Sequence, residues 1–356
     1  MFTSLFRAAA RRSLWGFSLL TLAWTARGQY DPDWSRNIRI GFLAGFNIKA
    51  DFRMSGTFPI FGTDPGLAGM PRQNHVYDDG YVRVDATGNA GTDPRGGYTT
   101  FWGYQDGSQH PSASTLLFHN SSFFTGAFSS ARNEDAPYLG FDMAYGGNLW
   151  RGKRLRVGWE LGFGLLPISI SDNRQFSATV EQSTYSFTVP DGVVLPSAPY
   201  NGGPSGFGQP TIFDVATLVG SNAFPDQTVS GPRTLDVTLY TLRLGPSLFW
   251  DLNQYIGLAI GAGPAVGFIN GYYRFNETIT TPTGVVRNKG DFGSTDTVFG
   301  GYVNAMLTYH VTKNADCFLG AQFMPLGRST SSSGGRQARL DLNGAVYLSA
   351  GINWPF

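Results

Sequence analysis

The sequence is short of the residues that most chemistry and most soluble folds rely on. It holds one cysteine, Cys317, which excludes a disulfide framework within the chain and falls short of a zinc-type cluster. Only 14% of its residues are charged and the formal net charge is +1, a balance that argues against a nucleic-acid partner. Past the N-terminal region no apolar run approaches the ~20 residues of a membrane helix. Histidine is scarce, with His75, His110, His119 and His310 the whole supply. What the chain has instead is 47 Gly, 28 Phe, 16 Tyr and 8 Trp, much of it in alternating segments. That composition suits an all-β protein.

The first 28 residues form a unit of their own. Arg7, Arg11 and Arg12 precede an apolar run from Leu14 to Trp24, and Ala26-Arg27-Gly28 supplies small residues before Gln29. This is the pattern of a cleaved signal peptide. Gln29 rather than cysteine follows the cleavage point, which argues against a lipoprotein anchor. Residues 29–356 are then the exported protein.

From Leu340 to Phe356 every even position is apolar or glycine, whereas the odd positions include Asp341, Asn343, Ser349, Gly351 and Asn353. A period of two over so many residues is a strand whose faces meet different surroundings. The same pattern runs from Ile38 to Met54, with Ile38, Ile40, Phe42, Ala44, Phe46, Ile48, Ala50 and Phe52 on one face. Six further runs share it, carried by Leu139–Leu149, Leu155–Leu165, Tyr240–Trp250, Ile256–Phe268, Phe299–Val311 and Cys317–Phe323. Eight strands are therefore expected. Over a membrane's thickness their apolar faces hold no Asp, Glu, Lys or Arg, and the opposite faces carry Arg39, Lys49, Asp142, Arg156, Glu160, Arg243 and Asp341. A cation on a lipid-facing position near the midplane costs ~2–4 kcal/mol, which accounts for the segregation.

Connection lengths alternate. Arg151-Gly152-Lys153, Asp251-Leu252-Asn253-Gln254 and Thr312-Lys313-Asn314 are tight links, while segments of about 55–138 and 171–234 are long. Short periplasmic turns opposite long extracellular loops are the rule for outer-membrane barrels. Trp150, Trp250, Tyr255, Tyr309, Trp354 and Phe356 sit at the short-turn end, where amphipathic rings favour the interface. Pro246, Pro264 and Pro325 interrupt apolar faces and predict bulges or irregular rims.

A final strand closing on Trp354 and Phe356 resembles the assembly signal of bacterial outer-membrane β-barrels. The whole resembles the small eight-stranded barrels of the OmpA, OmpX and OmpW type. The resemblance implies an antiparallel up-and-down transmembrane barrel with long extracellular loops, placed in the outer membrane among its lipids. It also implies contact with the barrel assembly machinery through the last strand. It carries over no functional residue, and such barrels serve structural, adhesive and conducting roles.

The loops leave alternatives open. Tyr77–Asp85 and Tyr98–Tyr104, joined through Gly88-Asn89-Ala90-Gly91, predict a hairpin. With Leu116, Leu117 and Phe118 this region would instead supply two more spanning strands, making ten. Val189-Pro190-Asp191-Gly192 and Asn201–Gly206 are rich in Gly, Pro and Ser and are expected to bury little and move freely. His110 precedes Ser112 and Ser114, and His119 precedes Ser121 and Ser122, but adjacency in sequence does not make a triad. The Asp78-Asp79 and Asp31/Asp33 pairs lack the spacing of a calcium loop. No cofactor or metal is expected. In the lumen, Asp142, Glu160 and Arg243 should meet on neighbouring strands. The expected function is a non-enzymatic surface or structural role through the loops, with a narrow passive channel or conduit for small hydrophobic solutes as the alternative.

Overall fold

The computed structural model describes residues 35–61, 63–85, 92–93, 96–133, 137–204, 208–281, 284–312 and 315–356. The expected signal peptide, Asp31, Asp33, the Gly88–Gly91 turn and Lys313-Asn314 lie outside them. In chain order the strands are β1 (Arg36–Phe46), β2 (Lys49–Pro59), β3 (His75–Tyr77), β4 (Gly80–Val82), β5 (Thr92–Asp93), β6 (Gly96–Thr99) and β7 (Trp102–Tyr104). There follow β8 (Thr115–Asn133), β9 (Tyr138–Arg151), β10 (Leu155–Asp172), β11 (Phe176–Thr188), β12 (Tyr200–Asn201), β13 (Ile212–Phe213) and β14 (Thr217–Ser230). The last third holds β15 (Arg233–Asp251), β16 (Ile256–Thr281), β17 (Gly284–Thr312), β18 (Ala315–Phe323), β19 (Arg328–Ser333), β20 (Arg336–Asp341) and β21 (Val346–Pro355).

Antiparallel pairing runs β1-β9-β10-β15-β16-β17-β18-β21 and back to β1, a closed ring of eight built from the eight alternating runs. A path of paired residues that leaves β17 at Leu307 passes through Leu319, Ala350, Phe42, Phe141, Leu165, Tyr240 and Phe268. It returns to β17 at Thr297, a stagger of 10 residues. Closure with such a stagger requires the tilt of roughly 35–45° usual for membrane barrels.

The ring does not stop at the membrane. Most strands continue past a short break: β1 into β2, β9 into β8, β10 into β11, β15 into β14, β18 into β19 and β21 into β20, while β16 and β17 run through unbroken. The continuations pair in the same order, β2-β8-β11-β14-β16 on one side and β2-β20-β19 on the other. Between β19 and β17 the upper wall has no ladder, and the hydroxyls of Ser294 and Ser331 meet across the seam. The expected loops of about 55–138 and 171–234 are therefore in part wall, supplied by β8, β11 and β14. Leu116, Leu117 and Phe118 belong to the extension β8 and add no ninth or tenth spanning strand.

The inside and outside exchange polarity at one level of the ring, which we call the waist. Below it the outward face is apolar and exposed, with Phe42 81%, Leu139 71% and Leu319 61% accessible. Above it the apolar residues point inward. On β10 the switch is written as two adjacent leucines, Leu165 outward and Leu166 buried, followed by buried Ile168 and Ile170 and by outward Ser169 and Ser171. Leu239-Tyr240, Phe268-Ile269 and Val298-Phe299 repeat the device on β15, β16 and β17. On β1 the switch is conformational. Asn47 takes φ 56, and the even residues that face lipid through Ala44 become core at Ile48, Ala50 and Phe52.

Two expectations need correction here. Ile38–Met54 and Leu340–Phe356 are not single strands with one environment, because Asn47-Ile48 and residues 342–345 interrupt them. Lys49 and Asp341, read as lumen charges, lie above the waist on the outer, water-facing surface. Pro325 falls in the break between β18 and β19. Pro246 and Pro264 sit where the β15–β16 ladder skips from Arg243↔Ala265 to Ser247↔Gly261, as the missing N–H groups require.

Candidate functional site

The lumen is charged below the waist and apolar at it. Arg39 on β1 donates to both oxygens of Glu160 on β10, each at 2.8 Å. Arg243 on β15 donates to both oxygens of Asp142 on β9, at 2.7 and 2.9 Å, and its Nε stands 3.6 Å from Glu160. Asn304 Nδ2 reaches Glu160 at 3.5 Å. All four charged side chains are 2–3% exposed, so two cations and two anions neutralise one another where an unpaired charge would cost several kcal/mol. Glycine makes the room, since a Cβ on Gly162 would fall 2.4 Å from the Arg243 guanidinium carbon.

The three residues expected to meet do so, but the partners are exchanged. Glu160 takes Arg39 as its bidentate partner, and Arg243 takes Asp142. Arg39 was legible only as one more inner-face charge, because the stagger that brings it level with Glu160 is a property of the closed ring.

Toward the periplasm, Asn37 donates to Asn353 at 2.8 Å, Asn353 to Asp316 at 3.0 Å, and His310 Nδ1 lies 2.8 Å from Asp316. Toward the outside, Leu43, Leu166, Ile168, Leu235, Leu239 and Tyr347 lead a buried cluster that fills the cross-section at the waist. Above this plug lies a second ionic network that sequence reasoning missed. Glu277 accepts from Arg233 at 2.7 Å and from Arg336 at 2.8 Å. Arg233 is held between Phe128 and Phe176, and Arg336 between Phe58 and Phe275. No motif marks it, since its members lie 44 and 59 residues apart along the chain.

A cap closes the extracellular end. β4 pairs with β7 as expected for Tyr77–Asp85 and Tyr98–Tyr104, and β3 and β12 flank them in a four-stranded sheet. Trp102, Tyr104, Leu116, Phe118, Phe187 and Ile212 form its core. The Gly- and Pro-rich segment expected to bury little instead packs Val189 and Ile212 at 2% and 0% exposure. Its carbonyls are tied down by side chains: Trp102 donates to Pro210 at 2.9 Å and Tyr81 to Gly202 at 2.9 Å.

Asp78 and Asp79 part company in the cap. Asp79 holds His119 Nδ1 at 2.7 Å and the His119 backbone N–H at 2.9 Å, and this hydrogen bond raises the His119 pKa above its usual value. Asp78 accepts from Thr63 at 3.1 Å, and burial pushes its carboxyl up. His75 Nδ1 lies 2.6 Å from the Pro65 carbonyl. None of His75, His110 and His119 is hydrogen-bonded to a serine among the described residues.

At the other end Phe356 closes the ring through its backbone, its N–H donating to Arg36 at 2.8 Å and its carbonyl accepting from Arg36 at 2.9 Å. Its ring and that of Trp354 are 52% and 57% exposed on the lipid face, beside Ile38, Ile40 and Ile352.

A closed eight-strand ring with an uncharged apolar outer band and a charged interior is the architecture by which strands cross a bilayer. The chain is an outer-membrane β-barrel. No protein-family profile and no curated relative matches the sequence. Among solved structures it is similar to the outer membrane protease OmpT from Escherichia coli, at 10% identity and TM-score 0.33, over 92% of this chain and 98% of that one. It is also similar to OprG from Pseudomonas aeruginosa, at 9% identity and TM-score 0.32, over 92% and 97%. Ail of Yersinia pestis, solved with the heparin analogue sucrose octasulfate, gives 8% identity and TM-score 0.27 over 90% and 99%. Likeness at this level assigns no residue and no role, and the membrane assignment stands on the girdle and the closed ring.

Proposed function

We propose that the protein is a non-conducting barrel whose role is structural or adhesive, the tall wall serving to hold the folded cap away from the membrane. The supporting observation is the plug: Leu166, Ile168, Leu235, Leu239 and Tyr347, each 0–2% exposed, occupy the section an ion would have to cross. A dry apolar layer above a neutralised ionic layer opposes ion passage twice, by dehydration and by the absence of a free counter-charge. The Asp79–His119 pair also anchors the backbone of β8 to the cap, which supports a structural duty for it and no catalytic step.

Planar-bilayer recording tests the reading. The wild type should show no steady conductance, and replacing Leu166, Ile168 and Leu239 together by Ala should raise leak events. A large, stable open state in the wild type would transfer the choice to the conduit. The adhesive part is tested by binding of purified protein to whole cells and glycan arrays, with and without residues 63–114 of the cap.

A further inference from the structure

In the cap, β6 pairs with β13 and the two strands border an open cleft of about 450 Å³. Tyr98 and Phe213 are cross-strand partners there, and their half-buried rings lie tilted at 39° with centroids 4.6 Å apart. With Val215 they supply apolar lining, and the turn 188–191 and Thr217 supply the rest. The Asp191 carboxylate and the hydroxyls of Tyr98, Thr188 and Thr217 line the cleft without a hydrogen bond among the described residues. No Lys, Arg or His lines it among those residues. The lining is held in place by backbone bonds. The Asp214 carboxylate, 1% exposed, accepts from the Gly97 N–H at 2.9 Å and the Arg72 N–H at 3.2 Å, and the Asp214 N–H donates to the Gly97 carbonyl at 2.9 Å. These bonds clamp together the two strands that carry Tyr98 and Phe213. Asp191 sits in a turn closed by the Val193 N–H on the Pro190 carbonyl at 3.2 Å, with Gly192 at φ 81, a conformation glycine takes without strain at that place in a turn. The Val189 N–H donates to the Ser114 carbonyl at 2.9 Å, which ties the turn to the residue before β8.

The volume is that of a small-molecule site, and its chemistry selects the ligand. A carboxylate with no cation beside it repels phosphate, sulfate and sialic acid. The negative face of an aromatic ring attracts the weakly positive C–H face of a pyranose. A carboxylate accepts from two neighbouring hydroxyls through charge-assisted bonds, and Thr and Tyr hydroxyls both donate and accept. An ammonium ligand is held best by several ring faces turned toward it, whereas Tyr98 and Phe213 partly cover each other. We infer that this cleft binds an uncharged pyranose unit of a glycan, its C–H face on the Tyr98–Phe213 pair and its neighbouring hydroxyls on Asp191. The inference rests on the adhesive part of the function proposed above and gives it a ligand class. Because the lining is fixed by the Asp214 clamp and the Gly192 turn, binding orders little of the protein, which favours affinity for a small ligand.

The test uses the full-length protein in uncharged detergent, with folding read by heat-modifiable migration and the cap by its resistance to protease. Arrays that print neutral glycans of bacterial and animal origin beside sialylated and sulfated ones are the probes, and the two neutral sets identify the source. Wild type should bind neutral glycans about tenfold more tightly than their sialylated or sulfated forms. Asp191 is exposed, so Asp191→Asn should leave the fold intact and weaken binding about tenfold, the loss of charge-assisted bonding. Phe213→Ala should weaken it by about as much, and Val194→Gln, at a position 86% exposed and outside the cleft, should change nothing. A preference for the anionic glycans, undiminished binding by Asp191→Asn, or competition by tetramethylammonium where methyl pyranosides do not compete would each overturn the assignment. Whole-cell adhesion separates this inference from the reading beneath it. Adhesion without neutral-glycan binding, or adhesion that persists in Asp191→Asn, removes the cleft and leaves the adhesive role, whereas a wild type that holds to no cell and no glycan removes both.

Discussion

At the scale of the residue, the ionic lumen is where single substitutions should speak most clearly. Arg243→Ala leaves the Asp142 carboxylate, 3% exposed, without its bidentate partner, and breaking a buried pair from one side costs about 3–5 kcal/mol. Arg243→Ala combined with Asp142→Ala should recover much of that loss, and Arg243→Ala with Glu160→Ala less, because the Arg243–Glu160 approach is the longer at 3.6 Å. Urea unfolding in lipid vesicles measures both cycles, and equal coupling for the two would contradict the pairing. His119 offers a pH readout in the cap. Its folded pKa is raised, first by the hydrogen bond from its ring to Asp79. The pair therefore contributes fully below the ordinary value of 6.5 and is lost as pH rises through the higher folded value. Proteolysis of the cap should accelerate across that window in the wild type, and His119→Gln should flatten the dependence.

At the scale of the element, one strand can report the exchange of polarity at the waist. Leu161 and Ser169 lie on the same outward face of β10, four pleats apart, on either side of the Leu165-Leu166 switch. Leu161→Arg places a cation in the apolar band and should cost about 2–4 kcal/mol, whereas Leu161→Met should be nearly neutral. Ser169→Arg faces water and should change stability by less than about 0.5 kcal/mol. Similar losses at both positions would mean that the band extends above the switch. β1 achieves the same exchange with Asn47 at φ 56, a region costly for a β-branched residue, and the Asn47 side chain also donates to the Gly344 carbonyl at 2.8 Å.

At the scale of the whole molecule, closure is the event on which the rest depends. The ring shuts between β1 and β21, and the Phe356 backbone forms the last bonds of that seam while its ring remains exposed to lipid. Removing Phe356, or replacing it with Asp, should block insertion and leave export intact. Fractionation would show the protein accumulating in the periplasm without a heat-modifiable band. Normal outer-membrane amounts of the truncated chain would rule the terminus out as the assembly signal.

What the sequence by itself determined is local and repeats with the pleat: eight alternating runs, their apolar faces, the tight turns, the aromatic end at Trp354 and Phe356. Successive side chains of a strand point to opposite sides whatever the surroundings, so the pattern is readable without a fold. Alternation does not say what lies on each side, however. The even residues of Ile38–Met54 serve lipid as far as Ala44 and a protein core from Ile48 onward, with no change in character. Only the tertiary structure decided that, through a left-handed residue at Asn47. It likewise decided that Glu160 takes Arg39, 121 residues away, and that Arg233, Glu277 and Arg336 share a site. Which inner-face charges stand level depends on the stagger of the closed ring, a sum over all eight pairings that no single segment contains.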